Sequence, residues 1–337
     1  MKIAFVINQT HKETERFTTT LLALKAHQLG HAIYYIGLAD FYYESAHIAA
    51  HVREVLPTQQ ITSAKQLMEV LRATAKTKME LEKMDVIWLR FDPVLDMVNR
   101  PWAASSALQF ASLLKEKGVQ VINDPDGLGR ASNKLYLEGF DESIRPKTIV
   151  TRNYADVVEF FEQQNRLIIL KPLKGSGGKN VFLINKDNQQ NLKQTVEAIA
   201  RDGYVIGQEY LPEAAAGDIR FFLLNGEPVS INGKYAAVHR VQQGNEIRSN
   251  VHQGAKTQAA IISPELLLMV DKIKDKLIQD GMYFVGLDIV GDRIMEINVF
   301  SPGALCQTEE IVKEDFSALI IKNLEEKIGS ARNSSGV

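Results

Sequence analysis

The stretch that most constrains this chain lies near its end, where residues 283–300 read YFVGLDIVGDRIMEINVF. Apolar and polar residues alternate on both sides of Gly291 and Asp292, the pattern of half-buried strands joined by a tight turn. A three-residue loop of Gly291, Asp292 and Arg293, one of the common hairpin lengths, sets Asp288 opposite Glu296 with β-carbons ~5 Å apart. Alternation then puts Gly286, Asp288, Val290, Ile294, Glu296 and Asn298 on one face. Leu287, Ile289, Met295, Ile297 and Val299 share the other, an apolar surface fit for a core. Two carboxylates and an amide thus converge on the face turned from the core. Like charges so close repel unless a cation sits between them, and hard oxygen ligands suit Mg2+ with its water and phosphate partners. The alternative is a solvated strand face with two scattered acids.

A second stretch, ILKPLKGSGGKN at 169–180, sets Lys171, Lys174 and Lys179 among three glycines after an apolar run. Backbone stripped of side chains can approach a polyphosphate closely and turn its N–H groups toward it. Lys171 ends a strand, so the sheet fixes its ammonium, whereas Lys174 and Lys179 ride on the loop. The Gly-x-x-x-x-Gly-Lys-Ser/Thr pattern is not met, because Asn180 stands where the hydroxyl would follow Lys179. The alternative here is a surface turn with incidental lysines. Downstream, GQEYLP at 207–212 closes a strand before a polar turn, where exposed backbone groups can read an adenine edge. GDIRFF adds Asp218 and Arg220 on one strand face, or else a surface ion pair between them. The polar, glycine-punctuated stretch 238–255 adds His239, Arg240, Arg248 and Asn250. A loop that long inside a compact domain is usually functional, and arginine grips phosphate or carboxylate bidentately.

Before these sites, strand and helix signals alternate. Strands KIAFVI, AIYYIG, DVIWLR and VQVIND are separated by helical patterns at 17–30, 66–84 and 103–118, which predicts a parallel, doubly wound sheet to about residue 125. Its first turn, NQTHKET, lacks the Gly-x-Gly-x-x-Gly fingerprint of dinucleotide-binding folds. From Asp126 the texture changes to a helix at 129–140 and mixed α+β signals, then to antiparallel ones. The expected division is an α/β lobe at 1–125, a lobe carrying the glycine loop at 126–210, a lobe carrying the acidic hairpin at 211–325, and a disordered tail at 326–337. A formal charge of −2 and the lack of a basic stripe argue against nucleic acid as a partner. The single cysteine, Cys306, excludes an internal disulfide and agrees with a reducing compartment. The N-terminus reads as a first strand rather than a signal peptide, and no window has the apolar length to cross a bilayer. A cytoplasmic protein without membrane attachment is expected.

Taken together, the chain resembles an ATP-grasp ligase, and specifically the bacterial glutathione synthetases. The residues that carry the resemblance are LRFDP (89–93), NKLY (133–136), LKPLKGSGG (170–178), QEYLP (208–212), GDIR (217–220), NGEPV (225–229), GNEIRSN (244–250) and FVGLDIVGDRIMEINVFSP (284–302). The resemblance implies an N-terminal parallel lobe followed by two α+β lobes that clasp ATP. It implies that Lys134 and Lys171 bind the α- and β-phosphates, and that Gly175, Ser176, Gly177 and Gly178 close over the β/γ end as a lid. Tyr210 and Leu211 would hold adenine by backbone, near Gln208 and Glu209, with Asp218 close to the ribose. Asp288, Glu296 and Asn298 would ligate Mg2+, with Mn2+ as the alternative ion. Arg220, Arg240, Arg248 and Asn250 would surround the γ-phosphate and the reacting carboxylate.

The implied reaction is ligation of a carboxylate to an amine through an acyl phosphate, with γ-glutamylcysteine and glycine as the small-molecule substrates and a homo-oligomer as the assembly. Arg90, Asp92, Ser301 and Gly303 fall on the implied substrate side. Three departures bear on the substrate. Where the family commonly continues Ser-Pro-Thr and then Ile-Arg-Glu, this chain reads Ser301, Pro302, Gly303 and ALCQTEE. The central loop carries SNVHQGA instead of ending in Gly-Gly, and Phe91 replaces a polar residue. A ligase for a different acceptor, or an ATP-binding regulator on the same fold, are the competing readings. Two features are discounted: HIAAH at 47–51 lacks the glutamate and third ligand of a zinc helix, and Cys306 reads as packing rather than nucleophile.

Overall fold

Lys2–Ile7 (β1), buried from Ile3 onward, is the spine of the first sheet. The structure, a computed structural model, describes residues 1–175, 177–241 and 256–335. Ala32–Gly37 (β2) lies parallel to β1 on one side. Phe41–Glu44 (β3), His47–Val55 (β4) and Thr77–Glu80 (β5) extend that side as an antiparallel flank. Val86–Leu89 (β6) and Val121–Ile122 (β7) continue the parallel set on the other side. Strands covered on both faces read as unbroken apolar runs, which is why KIAFVI and VIWL carry no alternation. Helices Thr18–Gln28 (α1), Ala64–Ala73 (α2) and Ala103–Glu116 (α3) complete this lobe.

The expected parallel sheet is therefore only its centre. The helix read at 66–84 stops at Ala73, and the remainder pairs with β4 because cross-strand packing of Met79 and burial of Leu81 outweigh a helix-favouring Lys/Glu composition. HIAAH lies on β4 as strand, not helix; His47 and His51 are exposed, and no metal-binding group of three His, Cys, Asp or Glu occurs among the described residues.

The helix expected at 129–140 is split. Pro125–Arg130 (α4) ends before Asn133, whose side chain accepts from the Leu135 N–H (3.0 Å) and starts a separate 3-10 segment, Lys134–Gly139. Thr148–Thr151 (β8), Ile168–Pro172 (β9), Phe182–Ile184 (β10) and Val205–Glu209 (β11) then form an antiparallel sheet in the order β10-β9-β11-β8. Tyr154–Gln163 (α5) and Leu192–Ala200 (α6) pack on it around Phe160, Phe161, Leu170 and Val196, a core of its own.

The third sheet comprises Asp218–Leu224 (β12) with the short Glu227–Pro228 (β13) paired to it, Ala237–Val241 (β16), Lys256–Ala259 (β17), Phe284–Val290 (β18) and Arg293–Asn298 (β19), in the order β17-β16-β12-β18-β19. Ser230–Ile231 (β14) and Lys234–Tyr235 (β15) make a separate small ribbon. Pro264–Gln279 (α7), Leu305–Val312 (α8) and Phe316–Ser335 (α9) complete this part.

Unlike the middle sheet, this one shares its cores with the first. Trp88 of β6 meets Tyr283 and Phe284 edge-on, with centroids 6.3 and 6.1 Å apart. Buried Asn123 ties the seam by donating to the carbonyls of Phe284 (3.0 Å) and Val299 (2.6 Å) and accepting from the N–H groups of Tyr283 and Phe284 (2.9 Å each). The stretch expected to be disordered from 326 continues as helix to Ser335. Phe316, Ile320, Ile321, Leu324 and Ile328 recur at helical spacing and are buried, which carries order past that boundary. Among the described residues no helix is long and apolar enough to cross a membrane.

Candidate active site

The hairpin reaches the expected pairing by another route. Its turn has two residues, Gly291 (φ +56°) and Asp292, so Val290 faces Arg293 and Ile289 faces Ile294. A bulge then shifts the register by one residue, and Asp288 faces Glu296 after all. One extra residue reverses the two side chains beside it. Ile294, expected on the polar face, is fully buried in the core; Met295, expected in the core, lines the cleft with Glu296.

Across β16, β12 and β18 the register places Asp218 opposite Arg240, and Arg220 opposite Asp288. Asp218 and Arg220 therefore bond across strands rather than to each other. Arg220 donates from Nε and Nη2 to the two Asp288 oxygens at 2.6 and 3.1 Å. Arg240 donates from Nε to Asp218 at 2.8 Å, pairs through Nη2 with the same carboxylate, and lies 3.0 Å from Asp288 Oδ1. All four residues are buried. Alternating signs make that burial tolerable, since each charge meets an opposite one at hydrogen-bond distance. Burial alone would raise the Asp288 carboxyl, but Arg220 and Arg240 hold it well below the ordinary carboxylate range. Burial opposes the charge on Arg240, yet Asp288 and Asp218 push its pKa up.

Two glycines permit this closeness. A Cβ on Gly217 (φ +105°) would lie 2.0 Å from the Arg240 carbonyl oxygen, and one on Gly286 would lie 2.7 Å from Pro302 Cβ. At the rim, Asn298 donates to Asp288 Oδ2 at 3.3 Å, and Glu296 pairs with Lys134 at 3.2 Å.

The opposing wall comes from the middle sheet. Lys171 donates to Gln208 Oε1 (2.9 Å), which is steadied in turn by Thr148 (3.2 Å). Burial, assisted by the Lys134 charge, pulls the Lys171 ammonium down to about 8. Lys134 also donates to the Gly175 carbonyl, and Gly177 and Gly178 take left-handed φ of +67° and +71°. Between the walls is a cleft of about 250 Å3. It is lined by Lys134, Lys171, Gly175, Gly177, Gly178, Gln208, Glu209, Tyr210, Leu211, Asp218, Arg220, Arg240, Asp288, Glu296 and Asn298. Nearly every candidate nucleotide and metal residue is thus gathered around one space. Ser176, Arg248 and Asn250 lie outside the described residues. Val290 lines the cleft on the face expected for it, but sequence reasoning missed the rest of the apolar lining, Ile169, Val181, Ala214 and Met295, which suits a flat hydrophobic ring. Strand alternation from Lys171 could have found Ile169; Met295 was hidden by the bulge.

A smaller cavity of about 140 Å3 shares Lys134, Gly175, Glu296 and Asn298 with this cleft and adds Asp92 and Ser301. Arg90 is buried, donating to Thr19 Oγ1 (3.2 Å) and to the Pro302 carbonyl (3.1 Å). Arg220 holds the neighbouring Gly303 carbonyl at 2.9 Å. These two residues therefore act on the 301–304 loop, in which Ala304 takes a left-handed φ of +81°. The Cys306 thiol lies 3.9 Å from the Phe17 carbonyl, and burial pushes its pKa up to about 11. It stays protonated, as a packing residue does.

The donor set fits a hard divalent ion. Asp288, Glu296 and Asn298 offer two carboxylates and an amide oxygen beside cationic groups, a set that an ion completes with phosphate oxygens and water rather than a closed protein cage.

Comparison with known proteins bears on the family and the fold. Residues 1–129 match the family model "Prokaryotic glutathione synthetase, N-terminal domain", and residues 133–313 match "Prokaryotic glutathione synthetase, ATP-grasp domain". The glutathione synthetase of Escherichia coli (strain K12) is 30% identical over 309 residues, covering 91% of this chain and 92% of that one. That of Salmonella typhimurium is 29% identical over 331 residues, covering 97% and 99%. Among solved structures, D-cycloserine synthetase DcsG superposes with TM-score 0.67 at 14% identity, covering 97% of this chain and all of that one. The ATP-grasp ligase PsnB complexed with precursor peptide PsnA2 and AMPPNP superposes with TM-score 0.60 at 15% identity, covering 97% and 98%. At such identities the two structures speak to fold alone.

Proposed function

Because the chain belongs to the prokaryotic glutathione synthetase family and is an ATP-dependent carbon–nitrogen ligase of the ATP-grasp fold, we propose that it joins γ-glutamylcysteine to glycine, forming glutathione, ADP and phosphate. The observation that carries this reading is the convergence of Asp288, Glu296, Asn298, Lys134, Lys171, Arg220, Arg240 and the glycine loop on one cleft. The proposed lobe boundaries fall near residues 125 and 210.

In the first step the donor carboxylate attacks the γ-phosphorus, the bond to the β-γ bridging oxygen breaks, and ADP leaves. In the second the amine attacks the acyl carbon, loses a proton, and expels inorganic phosphate as the amide forms. No side-chain nucleophile is required, so catalysis is positioning and charge neutralisation. Asp288, Glu296 and Asn298 would hold the divalent ion, which would supply positive charge to offset that of the phosphates. Lys134 and Lys171 are assigned to the α- and β-phosphates, and Gly175, Ser176, Gly177 and Gly178 to the lid. Tyr210 and Leu211 take adenine beside Gln208 and Glu209, and Asp218 lies near the ribose. Arg220, Arg240, Arg248 and Asn250 are assigned to the γ-phosphate and acyl centre, with Arg240 stabilising the developing oxyanion. An acyl phosphate hydrolyses readily, so closing loops must exclude water.

One feature favours a second reading, ligation onto a different amine. The 303–306 segment departs from the family pattern, and Cys306 supplies no positive charge there. Phosphate release with Mg-ATP over a panel of donors and acceptors tests both. Release only with γ-glutamylcysteine and glycine supports the first reading; release with another amine replaces it by the second. ATP binding without turnover for any pair defeats both.

A further inference from the structure

A second cleft, of about 390 Å3, opens on the first lobe and shares no residue with the two cavities described above. It lies outside the carboxyl ends of β1 and β2, where open α/β sheets present the loops that bind ligands. Asn8, Gln9 and Thr10 follow β1; Gly37 ends β2 and Asp40 follows it. Four cationic side chains enter from separate places: Arg53 from β4, Arg72 from the end of α2, Lys76 from the segment before β5, and Arg100 from the segment before α3. The volume falls within the range of small-molecule pockets.

Charge pairing separates these four into two kinds. Arg100 is answered by buried Asp96 (2.8 Å), and Lys76 by Asp40 (2.5 Å). Arg53 and Arg72 make no ion pair among the described residues. Arg53 donates through Nη1 to the carbonyls of Leu71, Arg72 and Thr74 at the C-terminus of α2, while its Nε is buried without a hydrogen-bond acceptor. Arg72 donates through Nη2 to the Glu13 carbonyl at 2.6 Å. The C-terminal dipole of α2 offsets part of the Arg53 charge, whereas the lone carbonyl facing Arg72 satisfies a donor without neutralising it. Asp40 is already engaged by both Lys76 and the Gly37 N–H, so it cannot serve the guanidiniums as well. The chain as a whole carries a formal charge of −2, so this local excess is not a reflection of overall basicity.

We propose that the cleft lined by Arg53, Arg72, Lys76 and Arg100 is a second, oxyanion-binding site, separate from the nucleotide cleft, that takes a small ligand bearing phosphate or two carboxylates. Arg72, and in part Arg53, supply charge that no carboxylate among the described residues pairs with, and the bidentate geometry of guanidinium suits both oxyanions. The site does not depend on the ligase reading.

The test is calorimetric titration of the full chain, its nucleotide cleft saturated with Mg2+ and a non-hydrolysable ATP analogue, with inorganic phosphate in one arm and succinate in the other. One saturable event per chain is expected in at least one arm. Phosphate alone identifies a phosphoryl ligand, succinate alone a dicarboxylate, and both a general oxyanion site. Arg72 is exposed, so Arg72→Gln preserves the fold, as an unchanged melting temperature will verify. It should weaken binding roughly tenfold or more, the effect of losing one charge-assisted hydrogen bond, and Arg72→Glu should abolish it. Affinity for the ATP analogue should stay the same in both variants. Absence of saturable binding in both arms, or binding that Arg72→Gln and Arg72→Glu leave unchanged, overturns the proposal.

Discussion

The two walls of the nucleotide cleft hold their charges in opposite ways. On the third sheet, Asp218, Arg240, Asp288 and Arg220 interlock in alternating sign, each buried and each paired. That sheet also shares cores with the first lobe, so displacing it would disturb both. On the middle sheet, Lys171 has a neutral amide for its partner and a depressed pKa, and the glycine loop beyond it receives Lys134 at the Gly175 carbonyl. Its core is its own. The comparison teaches that paired and unpaired charge are kept on separate elements: the quartet carries its own counter-charges, whereas Lys171 meets a neutral amide.

The comparison breaks most severely at Asp288. Asp288→Asn leaves Arg220 and Arg240 facing a neutral group in a buried place, which should cost about 3–5 kcal/mol of stability in denaturant unfolding, together with loss of turnover. Unfolding at the wild-type midpoint would mean that the quartet is not a structural unit. Glu296, at the rim with a side chain 37% exposed, should behave otherwise. Glu296→Gln is expected to lower turnover by roughly 10^2 to 10^3 while shifting the melting temperature little. Wild-type turnover in that variant would contradict the metal assignment.

The lysine wall predicts a pH effect of smaller size. With Lys171 at about 8 before nucleotide binds, and higher once phosphate faces it, binding takes up a proton above that pH. ATP affinity should therefore fall as pH rises beyond about 8, by at most about tenfold per unit, and Lys171→Met should flatten that segment of the profile. An equal fall in Lys171→Met assigns the titration elsewhere. The smallest effect is expected in the lid. Gly177→Ala forces a side chain into left-handed backbone at a cost of about 1 kcal/mol, so a several-fold rise in the ATP Kd without loss of global stability is predicted. A wild-type Kd would show that this glycine's conformation does not matter to binding.

Much of the site was legible because the chemistry lies in short local patterns. Period-two alternation set Asp288 and Glu296 across a turn, and the glycine loop after an apolar strand located the phosphate side. Errors arose where pairing partners far apart in the chain decide the outcome. The bulge that exchanged Ile294 and Met295 is a property of two strands together. The strand Thr77–Glu80 forms because β4 is there to receive it, and α9 is ordered through its last turns because Ile328 finds a core. Arg90, expected on the substrate side, is buried against Thr19 and the Pro302 carbonyl, where it supports the 301–304 loop.

Alone, the sequence determined the central strands, the late hairpin and the chemical groups they carry, because hydrophobic period and turn residues act over a few positions. Tertiary structure decided which arginine answers which carboxylate. Asp218 and Arg220 stand two residues apart, yet each bonds across a strand to a partner 22 and 68 residues away. Charges in a low-dielectric interior pair with what lies at hydrogen-bond distance, and that distance is set by strand register.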